Sequence, residues 1–600
     1  MKDVLLERLA ALMVFVTLVG SGGQIALGQT PEASPAATPF ASPVASPAAA
    51  AKHGIKIEDM DLSVDPGEDF YQFANGGWLA STELPSDSPR YGTFDEIDDL
   101  VTGQLDTLVA DLPADPSTDT GKVKTVYNQA LDMATRDAQG VAPIRPLLDR
   151  FGKIATIDDG IAYQEKEARL DGMQGILNIY GGPSFTDATK NVAYLGSPVL
   201  SLPSLDFYLD DSADYESIRQ AWVETTAKLL VQAGYSEADA TSAAKQVLAF
   251  ETAEAKIMTT PQEYSADPSL YSTETSVADL EKLFPEFYFR AWLDTLGLTG
   301  VDTLAVDDIK FFTGLAAVLK AAEPTTIGNL LAVELLWSAA PYLTTEIGNI
   351  AFSFNGPILN GVSVRRPANE RALTLVETYF PDAVSQAYVA EAFPPSAKAQ
   401  IEDLVKNIIA AYRQRILSST WMSDETKQKA VTKLDLISVK IGYPDKWISY
   451  ATVPVGDSLI ETINNAANFA NARNLSEIGK PVDRTEWSMG AFEVNAYYNP
   501  QGNEIVFPAA ILQPPFFDPE ADAASNYGAI GAVIGHEITH GFDQSGSQFD
   551  GYGNLNSWWT DQDRAAFDAL NQKVIDQYDQ LEALPGLYVD GELTVTENVA

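Results

Sequence analysis

Apolar residues recur at helical spacing through most of the chain between about residues 95 and 440. The segment 397–418 is typical, because Ile401, Leu404, Ile408 and Ile416 fall on roughly one face of a 3.6-residue helix. Connections carry Pro, Gly, Asp and Ser, and 181–183 is predicted to be a turn. The pattern predicts a mainly α-helical region, with its clearest helices at 94–112, 218–233, 238–258, 309–322, 327–339 and 397–418.

The pattern changes near residue 494, where two short alternating segments flank a turn. Residues 494–498 and 504–507 read as strands, and Asn499-Pro500-Gln501-Gly502-Asn503 reads as the turn between them. These segments predict a β-hairpin. An exposed edge strand at this place could bind an extended peptide through main-chain hydrogen bonds.

A helix rich in small residues is predicted to start near Ser525, and a second long helix is predicted at 561–581, capped by Thr560.

The first of these helices contains His536-Glu537-Ile538-Thr539-His540. Residues four apart lie on the same face of a helix, so both histidines can point at one metal ion. Two neutral imidazoles at this spacing suit Zn²⁺. Glu537 lies about 100° further round the helix, where it can hold the reacting water but is poorly placed as a ligand. The motif predicts metal-assisted hydrolysis with Glu537 as the general base.

A catalytic zinc site needs a third protein ligand. The remaining histidine, His53, lies at the edge of a linker, and the candidate is Glu597. A competing interpretation gives Glu597 a structural role as the capping-box partner of Thr594. The spacing alone leaves both interpretations open.

Length and charge narrow the class of protein. The chain has 600 residues, too many for one core, so two or more lobes are expected. With 39 basic and 83 acidic residues the net charge is −44, which argues against nucleic acid and against anionic membrane surfaces as partners. The chain has no Cys, so it has no disulfide.

The N-terminus resembles an export signal. Residues 1–28 combine flanking charge, a twelve-residue apolar run and small residues before Gln29, which predicts a signal peptide and a secreted protein. The run is short for a membrane span, and an uncleaved anchor is the alternative. Residues 29–54 repeat Pro every fourth position among Ala, Ser and Thr, which predicts an extended linker. Stable membrane insertion is not expected.

Several motifs together resemble the neprilysin family of zinc endopeptidases, the M13 family with its bacterial oligopeptidase O members. They are His536-Glu537-Ile538-Thr539-His540-Gly541-Phe542-Asp543, Asn495-Ala496-Tyr497-Tyr498, the stretch 507–517, the entry motif that ends at Trp78, and the segments 202–209 and 421–426. Each stretch is weak alone, whereas their order and spacing are highly specific. The resemblance covers roughly residues 61–600.

The resemblance implies roles for individual residues. It makes Glu597 the third zinc ligand, because Glu597-Asn598-Val599-Ala600 matches the start of the family's Glu-Asn-x-Ala-Asp motif. It implies that Asn495 and Ala496 hold the substrate backbone. It implies an apolar pocket for the residue after the cleaved bond, lined by Phe94, Ile511, Phe516 and Val533.

Arg90 matches an arginine that binds the free carboxylate of short peptides, but the second basic position of that region is Asp98 here. This difference weakens any expected preference for releasing C-terminal dipeptides. The chain stops at Ala600, inside the motif, so it resembles a truncated chain. The resemblance implies that the motif's Asp, an oxyanion-stabilising His and an Arg that contacts substrate lie beyond this residue, and that the chain as written is less than fully active.

The resemblance implies a mainly α, two-lobed fold. A thermolysin-like zinc lobe with a small β-hairpin or sheet would be formed by residues 55–100 and 431–600, and a helical cap over 101–430 would enclose a central chamber. The expected function is a secreted zinc metalloendopeptidase with one Zn²⁺ per chain, which cleaves oligopeptides on the amino side of hydrophobic residues. The alternatives are a zinc aminopeptidase on the same scaffold, or a non-catalytic secreted binding protein if the C-terminus is really absent.

Overall fold

The computed structural model describes residues 54–600 except residues 170, 394 and 585. The predicted signal peptide, His53 and all but the last residue of the predicted linker lie outside the described residues. Secretion therefore stays a prediction. Within the part of the chain that is described, no helix combines the length and apolarity needed to cross a membrane.

Most of the described chain is helical, as the apolar spacing predicts. The helices up to the middle of the chain are α1 (Phe70–Ser81), α2 (Thr93–Asp111), α3 (Asp119–Leu131), α4 (Met133–Gln139), α5 (Arg145–Phe151), α6 (Ile157–Tyr163), α7 (Asp206–Leu209), α8 (Ala213–Gln232), α9 (Glu237–Ala255), α10 (Pro261–Ala266), α11 (Val277–Leu283) and α12 (Phe289–Thr295). The later helices are α13 (Ile309–Ala321), α14 (Thr326–Ala339), α15 (Thr345–Phe354), α16 (Ala368–Tyr379), α17 (Pro381–Ala392), α18 (Pro395–Ser418), α19 (Asp424–Asp435), α20 (Leu459–Ser476), α21 (Ala523–Gly528), α22 (Ile530–His540), α23 (Asp561–Tyr578) and α24 (Val595–Val599).

The strands form three small sheets. One has the order β1-β2-β4-β3, built from β1 (Asn178–Pro183), β2 (Asn191–Gly196), β3 (Thr273–Ser276) and β4 (Thr303–Val306). A second has the order β5-β7-β6, built from β5 (Ser438–Gly442), β6 (Tyr497–Asn499) and β7 (Glu504–Pro508). The third pairs β8 (Glu582–Leu584) with β9 (Leu587–Tyr588). The predicted hairpin is β6–β7, and β6 is an edge strand of its sheet.

Two large apolar clusters divide the molecule into two lobes. The first lobe is built on buried residues between positions 144 and 354, joined by Ile460. The second lobe is built on buried residues between 97 and 130 and between 372 and 558. The predicted cap boundaries of 101 and 430 stay a prediction. In the structure, the chain enters the first cluster near residue 144 and leaves it near residue 354.

The predicted turn at 181–183 is wrong, since these residues lie in β1. Gly181 pairs with Asn474 of α20, whose side-chain amide accepts from the glycine N–H at 2.8 Å and donates to its carbonyl at 2.9 Å. A Cβ on Gly181 would lie 2.9 Å from the Asn474 carbonyl oxygen. The glycine thus permits a close approach between β1 and α20 rather than a turn.

The expected continuous helix from Ser525 is also wrong, because it breaks at Ala529. Asp522 caps the short α21, and Ala529 then leaves helical geometry at φ −100° and ψ −95°. The N–H of Ile530 donates instead to the Phe516 carbonyl at 2.9 Å. Helix α22 therefore begins afresh, and Ile530, Ile534 and Ile538 bury one of its faces completely.

Candidate metal centre

Two histidines one turn apart on α22 point at the same place. The Nε2 atoms of His536 and His540 are 2.9 Å apart, and the ring planes are nearly perpendicular at 88°. His540 is buried, whereas one third of the His536 side chain is exposed. The four-residue spacing predicted this convergence.

Glu597 reaches the same place from the short helix α24. Its Oε2 lies 3.4 Å from His536 Nε2, and its Oε1 lies 3.7 Å from His540 Nε2. The capping-box interpretation is wrong, because Thr594 makes no side-chain cap to the helix and instead donates to the Asp590 carbonyl at 2.7 Å. Glu597 Oε1 is buried with no hydrogen-bond partner in the described structure. A buried carboxylate oxygen left in this way fits a metal ligand.

The spacing of these donors fits zinc. Tetrahedral zinc with ligands at about 2.0–2.1 Å has ligand–ligand edges of about 3.3–3.4 Å. The two imidazole nitrogens are 2.9 Å apart, and the two carboxylate oxygens of Glu597 lie 3.4 Å from His536 Nε2 and 3.7 Å from His540 Nε2, all near that value. The donor set of two imidazoles and one carboxylate is that of zinc hydrolases with an open fourth position. In the part of the chain that is described, His536, His540 and Glu597 form the one cluster with metal-ligand spacing.

Glu537 is buried beside the cluster. Burial raises the pKa of its carboxyl to about 7, and the negative charge of Glu597 adds to this effect. The two histidines and the backbone N–H of Tyr498 oppose the rise in pKa. Tyr498 belongs to β6, so the general-base candidate lies between the histidine pair and the edge strand.

Asp543 is a functional residue that sequence reasoning did not assign. Its Oδ2 lies 2.7 Å from Nδ1 of His540, and the carboxylate is 2% exposed. Burial lowers the pKa of His540, but the hydrogen bond and charge of Asp543 outweigh this effect and raise the pKa to about 9. A carboxylate that stabilises a positive charge on this ring also favours a cation at its other nitrogen. The position, three residues after His540 in the turn that follows α22, was the available clue.

The residues predicted to bind the substrate backbone lie directly before β6. Asn495 is exposed and Ala496 is buried, and the side-chain oxygen of Asn495 accepts from the Ala496 N–H at 2.9 Å. Strand β6 packs against α22. Its outer edge has no strand partner among the described residues. The hairpin therefore presents an open edge close to the histidines.

The four predicted pocket residues lie near the start of α22. Ile511 is fully buried, while Phe516 and Val533 are partly buried against the same apolar cluster. Phe94 comes from α2 and contacts Phe516, with ring centroids 4.7 Å apart. Phe94 is 40% exposed, so this aromatic pair forms a wall that a ligand can reach.

Arg90 is exposed and pairs with Asp95 at 3.5 Å. Burial raises the pKa of the nearby Asp98 carboxyl, and the positive charges of Arg366 and Arg90 oppose that rise. Arg90 therefore lies close to the carboxylates of Asp95 and Asp98. Its contact with a substrate carboxylate stays a prediction.

Comparisons with known proteins agree with this geometry. Two family models, both described as peptidase family M13, match residues 66–444 and 495–600. Neutral endopeptidase of Lactobacillus helveticus is 30% identical over an alignment that covers 91% of this chain and 84% of that protein. Neprilysin of Mus musculus is also 30% identical, over 91% of this chain and 78% of that protein.

Solved structures match as well. Zinc metalloprotease Zmp1 of Mycobacterium tuberculosis, in complex with an inhibitor, superposes with a TM-score of 0.85 at 32% identity, over 91% of this chain and 84% of that chain. PepO of Lactobacillus rhamnosis HN001 superposes with a TM-score of 0.83 at 28% identity, over 90% of this chain and 85% of that chain.

A mainly helical, two-lobed fold and a His-Glu-His cluster define a zinc metalloendopeptidase with the chambered fold of these peptidases, so the predicted fold class is confirmed. The chain belongs to peptidase family M13 and is neprilysin-like.

Proposed function

We propose that His536, His540 and Glu597 hold one zinc ion and that Glu537 acts beside it as general base in the cleavage of oligopeptides. The convergence of two imidazole nitrogens and one carboxylate, all within 4.8 Å of one another, carries this proposal. When bound, zinc supplies Lewis-acid chemistry, which polarises the scissile carbonyl and lowers the pKa of a water.

Glu537 takes the proton from the attacking water and later delivers it to the leaving amine. Its place on α22, one residue after His536, sets the carboxylate beside the ligands without making it one of them. Asp543 holds the His540 ring in the orientation that leaves Nε2 free for the metal. Both assignments use side chains that the fold already fixes.

The substrate adds to the open edge of β6 as an extended strand, and Asn495 and Ala496 hold its backbone. The wall of Phe94 and Phe516, which shares an apolar cluster with the buried Ile511 and with Val533, takes the side chain after the cleaved bond. This arrangement favours cleavage on the amino side of large apolar residues. Since Arg90 is already paired with Asp95, the proposal favours internal bonds over the release of C-terminal dipeptides.

The deciding experiment is Glu537→Gln in the purified protein, assayed on an N-terminally blocked peptide with one internal Phe. We expect zinc content to stay unchanged and kcat/KM to fall by about 10²–10⁴, the range for loss of a general base. Glu402→Gln is the matched control, because Glu402 is exposed on α18, a helix that packs against α22. Turnover retained in Glu537→Gln would refute the role of Glu537, and failure of the control protein to cleave a blocked peptide would favour an aminopeptidase.

A further inference from the structure

Lys433 of α19 is a lysine in an unusual place. Its side chain is 1% exposed, although lysines are almost never fully buried. Its Nζ donates to the carbonyl oxygens of Gly546 at 2.7 Å and Phe549 at 2.8 Å. Burial lowers the pKa of Lys433 to about 7, and the charges of Asp543 and Asp550 oppose this. The lysine therefore donates to main-chain carbonyls rather than to a carboxylate.

The carbonyls that it holds belong to the loop that follows α22. Gly546 lies against the end of that helix, since a Cβ there would be 1.7 Å from the His540 carbonyl oxygen. The N–H of Gly546 donates to Asp543 Oδ1 at 2.7 Å, and Asp543 Oδ2 contacts His540 Nδ1 at 2.7 Å. A short path thus runs from Lys433 through Gly546 and Asp543 to His540.

Lys433 is also tied to the hairpin. Its carbonyl accepts from the side-chain amide of Asn503 at 3.0 Å, and the same amide donates to the Gly551 carbonyl at 3.1 Å. Asn503 has a positive φ of 44°, and its side-chain oxygen accepts from the Tyr498 hydroxyl at 2.9 Å. The Lys433 Nζ lies 5.9 Å from the centroid of the Tyr498 ring. One residue therefore fixes both the loop behind His540 and the turn that carries the edge strand.

We propose that Lys433 is a positioning residue for the metal centre, which fixes the Asp543 loop so that His540 keeps its ligand orientation. This inference rests on the proposed zinc site. Lys122 provides the contrast, because it is 3% exposed and its Nζ also donates to two carbonyls, those of Tyr450 and Ala451. Lys122 belongs to α3 and donates to a different loop, which among the described residues has no hydrogen-bond path to His540 through Asp543. Replacing Lys122 therefore measures the general effect of losing a buried lysine.

The test compares Lys433→Met with Lys122→Met. We expect Lys433→Met to weaken zinc binding about 10-fold, the lower end of the range for outer-shell partners, and Lys122→Met to stay within about 2-fold of the unaltered protein. Zinc affinity is measured by competition with a chelating dye. The visible absorption spectrum of the Co²⁺-loaded protein reports ligand geometry and should change in Lys433→Met alone. Equal zinc affinities and equal cobalt spectra in the two variants, with equal losses of thermal stability, would overturn the proposal.

A double-mutant cycle with Asp543→Asn tests the path itself. If Lys433 acts through Asp543, adding Lys433→Met to Asp543→Asn should weaken zinc binding by no more than about 2-fold, whereas fully additive effects would contradict that path. If Lys433→Met does not fold, Lys433→Gln takes its place, because its amide can still donate to one carbonyl. Failure of the unaltered protein to bind zinc would refute the proposed function, whereas tight zinc binding that is insensitive to Lys433 would refute this inference alone.

Discussion

The two lobes each bury a glutamate with the same raised pKa in different surroundings. Glu251 of α9 is 2% exposed and Glu537 of α22 is 5% exposed, and burial raises the pKa of each to about 7. Glu251 accepts from the Ser201 hydroxyl at 2.6 Å and from the Tyr208 hydroxyl at 2.9 Å. Glu537 instead faces two histidines and Glu597.

This comparison teaches that a raised pKa follows from burial and does not itself indicate a reactive site. In the first lobe the chain supplies donors that satisfy Glu251. In the second lobe His536, His540 and Glu597 leave donor atoms aimed at a shared point, and Glu597 Oε1 has no hydrogen-bond partner in the described structure. The candidate metal centre differs from the structural carboxylate Glu251 because its donor atoms converge on one point and one of them has no hydrogen-bond partner among the described residues.

Glu597→Gln should have the largest effect on this comparison. We expect zinc affinity to fall about 100-fold, the upper end of what outer-shell changes cost, because an anionic ligand becomes a neutral amide. Glu251→Gln is the matched substitution in the other lobe and should leave zinc affinity unchanged. Dialysis followed by metal analysis measures both. Unchanged zinc binding in Glu597→Gln would remove the distinction between the two lobes.

Glu251→Gln should change how stability depends on pH. The folded pKa of about 7 lies above the ordinary value of 4.5, so the folded state holds the proton more tightly between these pH values. The free energy of unfolding of the unaltered protein should therefore fall as pH rises from about 4.5 to 7 and then level off. Glutamine mimics the protonated carboxyl and should abolish a loss of about 3 kcal/mol, since one pKa unit corresponds to about 1.4 kcal/mol.

Amide hydrogen exchange in α9, compared at pH 5 and pH 8, measures this change. Glu286→Gln serves as the control, because the side chain of Glu286 is exposed and should not alter the pH profile. An identical profile in Glu251→Gln would show that folding does not raise the pKa of Glu251.

Local patterns predicted the elements better than the breaks between them. Helix α13 (Ile309–Ala321) matches the helix predicted at 309–322, because its apolar spacing is local to the sequence, and in the structure the neighbouring Asp308 caps it. At the break after Ala529 the N–H of Ile530 donates to the distant Phe516 carbonyl, and Gly181, which pairs with Ala193 of β2, also bonds to the distant Asn474. Long-range hydrogen bonds leave no periodicity in the sequence.

The metal centre shows the same limit. His536 and His540 were predicted from helix geometry, since both lie on one helix. Spacing alone could not decide between the two roles of Glu597, because that choice depends on how α24 packs beside α22, and the family resemblance was needed. Lys433 reaches the centre through backbone carbonyls of a loop, which no residue pattern encodes. The sequence therefore predicted the residues proposed as ligands more readily than those proposed to orient them.

Aromatic pairs extend the comparison between lobes with nearly identical geometry. The Phe287–Phe289 pair of the first lobe has ring centroids 4.7 Å apart at 59°, and both side chains are fully buried. The Phe94–Phe516 pair of the second lobe has centroids 4.7 Å apart at 55°, but Phe94 is 40% exposed. We therefore expect the buried pair to contribute to stability and the exposed pair to contact substrate.

Phe516→Ala should therefore have a small and selective effect. We expect the kcat/KM ratio between a peptide with Phe after the cleaved bond and one with Ala there to fall about 2–10-fold, since an aromatic contact contributes about 0.5–1.5 kcal/mol. Paired substrate kinetics measure the ratio. Phe287→Leu is the control, and it should lower the free energy of unfolding without changing that ratio. The pocket assignment fails if Phe516→Ala slows both peptides equally, because a uniform loss would reflect disturbed folding rather than a missing wall.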